Sequence, residues 1–345
     1  MTVLYLTTSP APRFADTDAV LQEVAMLQKA FGGEQISITA AKTPRFRYPR
    51  QLLGLHCLAD IRTAESRSRV THIFHTVPYC FPVLRLLRNP IVFTVTASVT
   101  QSAVPSGLGF LRKIHRFVVS NRRDEQILRQ WGLSQVETIL PGLDLVPFAA
   151  DNGARKRSST ARGDGPIRLL MASAPWVEKQ FDEKGVDALL EAAALSPNLH
   201  VTILLRGLLE PELRRRIRRL GIDSRTKVIN EKVDMRECLQ NADAVILAAK
   251  RPAIIKSYPH SLLEALAAGK PVIVSREIPI ADLVRQLGAG VVIDEVSAHA
   301  ILAAANSIHN ERERYLAGVR RFDPAMFSIP NMADAYRRIY DAAPL

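Results

Sequence analysis

The stretch Ile255-Lys-Ser-Tyr-Pro-His-Ser-Leu-Leu-Glu-Ala-Leu-Ala-Ala-Gly-Lys-Pro-Val-Ile-Val-Ser275 leaves a chain few folds to choose from. It reads as a loop, a helix, a tight turn and a buried strand, in that order. Ser261 stands where a helix N-cap belongs, and Leu262, Leu263, Leu266 and Ala267 form one apolar stripe behind it. Gly269 followed by Pro271 is a helix stop. Val272-Ile-Val274 is a short β-branched run of the kind that fills a parallel sheet covered on both faces. Glu264 is placed on the first turn, facing whatever occupies the loop. A helix N-terminus aimed at a pocket offers unpaired N–H groups and a positive dipole end, which suit a diphosphate.

The rest of the chain repeats that alternation. Val3–Thr7 predicts a buried strand, and Asp16 or Thr17 can cap a helix from about Asp18 to Phe31, ended by Gly32-Gly33. Strands are expected at Ile36–Ile38, His72–Val77, Ile91–Val95 and Arg116–Ser120, with helices at 49–63 and 122–131. Residues 149–166 are small, polar and strand-free, which marks a linker, and the Arg162-Gly-Asp164 tripeptide in it is incidental. Strands then return at Ile167–Ala172, Val201–Leu205, Lys227–Ile229, Ala244–Leu247 and Gly290–Ile293. Helices fall at Gly185–Leu195, Pro211–Leu220 and Arg236–Asn241, and an amphipathic tail runs from Asn331 to Ala342. The fold class is α/β: two Rossmann-like domains facing across a cleft. The expected boundaries are 1–148, linker 149–166, 167–320, and a tail 321–345.

At 345 residues, 47% hydrophobic and 23% charged, the chain fits two domains of a soluble protein. It contains nothing near the roughly 20 apolar residues of a spanning helix. The N-terminus lacks a basic segment before its apolar run and reads as a strand rather than a signal peptide. Three scattered cysteines argue for a reducing cytoplasm and against a disulfide framework or a cysteine metal site. The net charge of +12 gathers partly in Lys42–Arg50 and around Arg112, Lys113, Arg116, Arg122 and Arg123. Such patches suit an anionic membrane surface, an acidic acceptor or nucleic acid, and equally a solvated surface with no partner. Arg214-Arg-Arg-Ile-Arg-Arg219 carries no aromatic residues for stacking bases, so no nucleic-acid partner is expected. His72 and His75 are read as sharing a face of one strand. With no third ligand nearby in sequence they are assigned a structural role, and no metal site is expected.

Parallel α/β sheets bind ligands beyond the carboxyl ends of their strands. Four features of the second half converge there. Lys184-Gly185 opens a helix after a long loop, Arg206-Gly207 follows a strand, Lys227–Glu231 could hold a flat base through its backbone, and the Ser257–Ser261 loop precedes Glu264. Lys184 and Arg206 would offset a diphosphate, and a carboxylate can accept both hydroxyls of a ribose. Arg206 also suits a plain surface ion pair.

Asn241-Ala-Asp243 together with Ser261–Ser275 resembles the signature of retaining GT-B glycosyltransferases, glycosyltransferase family 4 (glycosyl transferases group 1). Asp182-Glu-Lys-Gly-Val-Asp-Ala-Leu-Leu-Glu-Ala192 is similar to that family's Glu-Lys-Gly helix. Val118-Val-Ser120 and Ile139–Asp144 resemble the end of its N-terminal domain. The resemblance implies a nucleotide-diphosphate sugar held by the second domain, a carbohydrate or lipid-linked acceptor held by the first, no cofactor and no metal, and a tail helix that returns to the first domain. It assigns the diphosphate to Lys184 and to the backbone amides of Ser261 and Leu262, and the ribose to Glu264. Lys256, Tyr258, Pro259 and His260 become donor-loop candidates; Tyr258 and His260 either line the sugar pocket or only shape the loop. Asp16-Thr-Asp18 has the Asp-x-Asp spelling of some metal-dependent glycosyltransferases, but its place at a helix start makes capping the expected role.

Three departures stand out. Lys256 replaces the first Glu of the family's Glu-x7-Glu motif. Ala172-Ser173 replaces a Gly-Arg. Thr96 and Pro10–Arg13 stand where a His and a glycine-rich loop are usual. The implied protein is a cytoplasmic retaining sugar transferase in cell-envelope polysaccharide or glycoconjugate synthesis, working at the inner membrane face through peripheral contact. The alternative is a catalytically impaired nucleotide-sugar-binding relative.

Overall fold

The computed structural model describes residues 2–8, 18–39, 52–149, 165–173, 175–205 and 207–344. Arg206, Pro10–Arg13, Asp16, Thr17, the cluster 42–50 and residues 150–164 of the linker lie outside them. The chain forms two compact units, one of Met1–Leu143 with Met326–Leu345, the other of Asp144–Ala325.

The first unit holds a six-stranded parallel sheet: β1 (Val3–Thr7), β2 (Gly33–Ser37), β3 (Val70–His75), β4 (Ile91–Val95), β5 (Arg116–Val119) and β6 (Val136–Thr138). Their spatial order is β2-β1-β3-β4-β5-β6. β1 is buried throughout, as a parallel strand covered on both faces must be. Leu4 and Leu6 enter one core with Ile73 and Phe93, whereas Val3 and Tyr5 enter the other with Val24 and Leu27. That alternation corrects the reading of the two histidines. Residues three apart on a strand point to opposite faces. His72 accordingly meets Tyr336 and Phe74 in tilted ring contacts, while His75 meets Phe81 and Phe93.

Several boundaries moved for local reasons. The cap of the Ala19–Phe31 helix is Asp18, whose carboxylate accepts from the Val20 and Leu21 amides at 2.9 and 3.0 Å. β2 begins at Gly33 rather than Ile36. A Cβ there would lie 1.8 Å from the Val3 carbonyl oxygen, so only glycine lets the strand pair directly after the helix stop. The helix expected from 49 starts at Leu58, because Gly54, at φ 80°, breaks the backbone beforehand. β6 was missed because it is a three-residue edge strand with a polar centre.

The tail helix Ile329–Asp341 packs within the first unit. Ser328 caps it, and Met332, Tyr336, Ile339 and Tyr340 form its buried face. Its two tyrosines join a buried chain of hydrogen bonds whose donor order is fixed by the carboxylate at its end. Tyr336 OH donates to Glu23 Oε1 at 3.3 Å, so the Thr94 hydroxyl donates to Tyr336 at 3.0 Å. His72 Nε2–H then donates to Thr94 Oγ1 at 2.7 Å, and Tyr340 OH donates to His72 Nδ1 at 2.6 Å. Every member needs the neutral Nε2–H form of His72.

The second unit repeats the plan with β7 (Ile167–Met171), β8 (Leu199–Leu204), β9 (Thr226–Ile229), β10 (Ala244–Leu247), β11 (Val272–Ser275) and β12 (Gly290–Ile293). The spatial order is β12-β11-β10-β7-β8-β9, all parallel. No helix among the described residues is long and apolar enough to cross a membrane.

Candidate functional site

The second sheet reverses its winding between β7 and β10. β8 and β9 extend to one side of β7, whereas β10, β11 and β12 extend to the other. Loops leaving the carboxyl ends of two such neighbours diverge and open a crevice. The loop after β7 carries Lys184, and the loop after β10 carries Lys256 and the entry to the helix His260–Ala267.

Lys184 does not follow a plain loop. A short helix, Lys179–Glu183, precedes it, and Val186–Leu195 begins just after. Gly185 joins them at φ 70°, and a Cβ on it would fall 2.1 Å from the Ala248 carbonyl oxygen. Glycine is thus required twice, for the left-handed backbone and for the approach of the β10 exit. Lys184, beside it, is only 7% exposed, and this desolvation lowers its ammonium to about 8. A buried cation that costs stability and sits at a switch crevice is a binding-site signature.

The β10 exit is fastened to the Lys179–Glu183 helix. The Lys250 amide donates to the Glu183 carbonyl at 2.9 Å, and Lys250 Nζ meets Asp182 Oδ1 at 2.5 Å. Arg251 meets the Glu183 carboxylate at 2.6 Å and Lys179 meets it at 3.0 Å; hydrogen bonds from Lys179 and then Arg251 hold that carboxyl below its usual range. Further along, Ser257 is buried, and its carbonyl accepts from the Ile280 amide at 3.1 Å. Lys256, Tyr258 and His260 are half-buried, and Pro259 is buried.

The helix that follows starts two residues earlier than expected. Its N-cap is Pro259, so Ser261 is the second helical residue and caps nothing. Glu264 is the fifth residue, in the second turn rather than the first, and is half-buried. Pro259 holds an extended ψ of 130° with a fixed φ, which makes it the natural entry point. The Leu262 side chain is fully buried, and its amide already donates to the Pro259 carbonyl at 3.1 Å. The Ser261 amide makes no hydrogen bond among the described residues. The helix ends as the sequence says: Gly269 adopts φ 75°, its amide reaches Leu266, and Lys270 closes back on Ala265 at 2.8 Å.

The Lys227–Glu231 segment lies on the edge strand β9, two strands from β7. Here the structure adds a residue that sequence reading passed over. Asn230 holds the turn after β8 through both backbone groups of Gly207, each at 3.0 Å, and donates to Glu210 at 2.7 Å. Neither this clamp nor the Glu183–Arg251 pair has a local signal, since the partners are far apart in sequence. Three of the five arginines of the arginine-rich helix are paired: Arg214 with Glu210, Arg215 with Glu212, and Arg216 with both Glu212 and Asp187.

Two Rossmann-like units of this topology define a GT-B protein. Solved structures bear this out over almost the whole chain. The Anabaena protein Alr3699/HepE in complex with UDP-glucose aligns with a TM-score of 0.71 at 15% identity, covering 99% of this chain and 100% of that one. Sucrose-phosphate synthase from Thermosynechococcus elongatus gives 0.71 at 17% identity, with 99% and 100% covered. WaaG, a glycosyltransferase involved in lipopolysaccharide biosynthesis, gives 0.65 at 14% identity, with 99% of both chains covered. At such identities the likeness is one of fold. None of the curated proteins matches this sequence significantly. Residues 175–317, most of the second unit, match the family model described as Glycosyl transferases group 1. The protein is a glycosyltransferase.

Proposed function

We propose that the protein moves a sugar, with retention at the anomeric carbon, from a nucleotide-diphosphate sugar to a glycan or lipid-linked acceptor in envelope polysaccharide or glycoconjugate synthesis. The observation that carries this reading is the buried Lys184 at the switch crevice, next to the Gly185–Ala248 approach. A diphosphate is the ligand whose charge offsets such a cation, and the Ser261 amide at a helix start adds a neutral donor. Glu264 would bind the ribose. Among the aligned structures, Alr3699/HepE was determined with UDP and with UDP-glucose.

The chemistry asks for little beyond positioning and stabilisation of a departing diphosphate. In retention by same-face attack, the acceptor hydroxyl bonds to the anomeric carbon as the bond to the diphosphate oxygen breaks. The leaving oxygen takes up the hydroxyl proton. Lys184 stabilises the negative charge developing on that oxygen, and its ammonium is the form that does so. Lys256, in place of the family's first Glu, would add a second cation to the donor loop and favour diphosphate over a sugar hydroxyl. No metal or cofactor enters this scheme.

The test compares sugar transfer and donor hydrolysis in the wild type, Lys184→Ala and Glu264→Ala across a panel of nucleotide sugars, with thermal shift to report binding. Turnover lost in both variants supports the transferase site. Equal background turnover in all three, with binding kept in the wild type, favours the impaired binding protein instead. If Lys256→Ala leaves donor affinity unchanged, the role given to that residue fails.

A further inference from the structure

The opposite end of the second sheet carries a separate cavity, of about 490 Å³, open to solvent. Four cations line it, Arg168, Arg214, Arg225 and Lys227, together with His200 and a single carboxylate, Asp223. Strand register explains why they meet. Arg168 on β7 pairs with His200 on β8, and Thr202, two residues on, pairs with Lys227 on β9. Side chains two apart share a face, so Arg168, His200, Thr202 and Lys227 all rise from one side of the sheet. The other side, with Ile167, Leu169, Val201 and Ile203, is core.

Arg168, His200 and Lys227 are each the second residue of their strand, at its amino-terminal end. The candidate donor site lies beyond the carboxyl ends, about 16 Å of extended strand from Arg168 to Ser173. Two of the cations have their charge committed or anchored. Arg214 pairs with Glu210 at 2.7 Å, and Arg225 donates to the Ala193 and Ser196 carbonyls at 2.7 and 2.5 Å. Arg168 and Lys227 are different: neither side chain makes an ion pair or hydrogen bond among the described residues. Asp243 meets Arg168 at the backbone, its carboxylate accepting from the Arg168 amide at 2.9 Å. A half-buried guanidinium and an ammonium facing one concavity without an acid of their own leave the cavity net positive.

We propose that this cavity binds a phosphate or diphosphate group carried by a larger molecule, at a site distinct from the candidate donor site. Arg168 offers the planar fork that pairs with phosphate oxygens, Lys227 adds a mobile point charge, and His200 and Thr202 add polar contacts between them. A phosphorylated saccharide in solution and the headgroup of an anionic lipid share this chemistry.

The test follows the ring-proton resonances of His200, assigned by His200→Gln, as inorganic diphosphate is added to the full-length protein. A saturable shift is expected, with affinity reduced about tenfold or more in Arg168→Ala/Lys227→Ala and retained in Arg168→Lys/Lys227→Arg. Lys184→Ala should leave the His200 response intact, which separates this site from the donor site. Sedimentation with phosphatidylcholine vesicles, with and without phosphatidylglycerol, names the source. Binding to the anionic vesicles that the alanine pair abolishes assigns a lipid headgroup, and binding indifferent to that pair assigns a soluble phosphate ester. Absence of a His200 response to diphosphate, or a response unaltered in the alanine pair, overturns the proposal.

Discussion

A Cβ placed on Gly185 would stand 2.1 Å from the carbonyl oxygen of Ala248. This one approach locks the loop after β7 to the exit of β10, next to the buried Lys184. The site therefore depends on a residue with no side chain.

Gly185→Ala should be among the most damaging single changes in the second unit. The left-handed backbone alone costs about 1 kcal/mol for an L-residue, and displacing the Ala248 carbonyl adds to it, for about 2–4 kcal/mol in all. Chemical denaturation would read the loss. Nucleotide-diphosphate affinity should fall at least about tenfold as Lys184 moves.

Lys184→Met should do the reverse to stability. Removing an ammonium whose burial lowers it to about 8 relieves desolvation, so a gain of about 1–2 kcal/mol near neutral pH is expected alongside weakened donor binding. In the wild type the unfolded lysine keeps its proton to about pH 10.4, beyond the folded one. Unfolding thus takes up a proton between about pH 8 and 10.4, and stability rises across that window. Nucleotide-diphosphate affinity should fall as pH climbs past about 8 and the ammonium is lost. A calorimetric pH series on both proteins checks the two signs together.

The buried chain through His72 predicts acid sensitivity in the first unit. Burial holds this imidazole well below its ordinary 6.5, so the unfolded chain binds a proton that the folded one refuses. Stability should fall as pH drops below about 6.5, by about 1.4 kcal/mol per pH unit for one such site. Tyr340→Phe removes the donor to His72 Nδ1 and should cost about 1–3 kcal/mol. His72→Gln should flatten the acid limb of the stability profile, and an unchanged limb would show that another group carries the acid sensitivity.

Asn230→Ala should loosen the turn after β8. It strands the Gly207 amide and carbonyl and unpairs Glu210, for a loss of about 1–2 kcal/mol with a modest drop in donor affinity. Hydrogen exchange at Gly207 is the direct readout, and Asn230→Asp should keep only the contact to the amide.

Much of the scaffold was legible because its causes are local. β1, β4, β10 and β12 fall on the residues expected, since each is a compact β-branched run between turn signals. Gly269 turns where a helix-stop glycine should. The errors have local causes too. Pro259 took the capping position from Ser261, and Asp18 took it from its neighbours, because the sequence offers several plausible caps within a turn. β2 and β6 were misread or missed where polar edge residues hide the strand period.

By itself, the sequence determined that strands and helices alternate in two halves, that a helix leads out of the Ser257–Ser261 loop, and that Lys184 and Glu264 stand near carboxyl ends of strands. These follow from periodicity and turn chemistry within a dozen residues. Only the tertiary structure decided that β7 and β10 are neighbours, which creates the switch crevice, that Ala248 presses on Gly185, and that the lysine beside it is buried. It also decided that Arg168, His200 and Lys227, on three different strands, rise from one face. Strand order and register are set by packing between segments tens of residues apart, and no window along the chain contains that information.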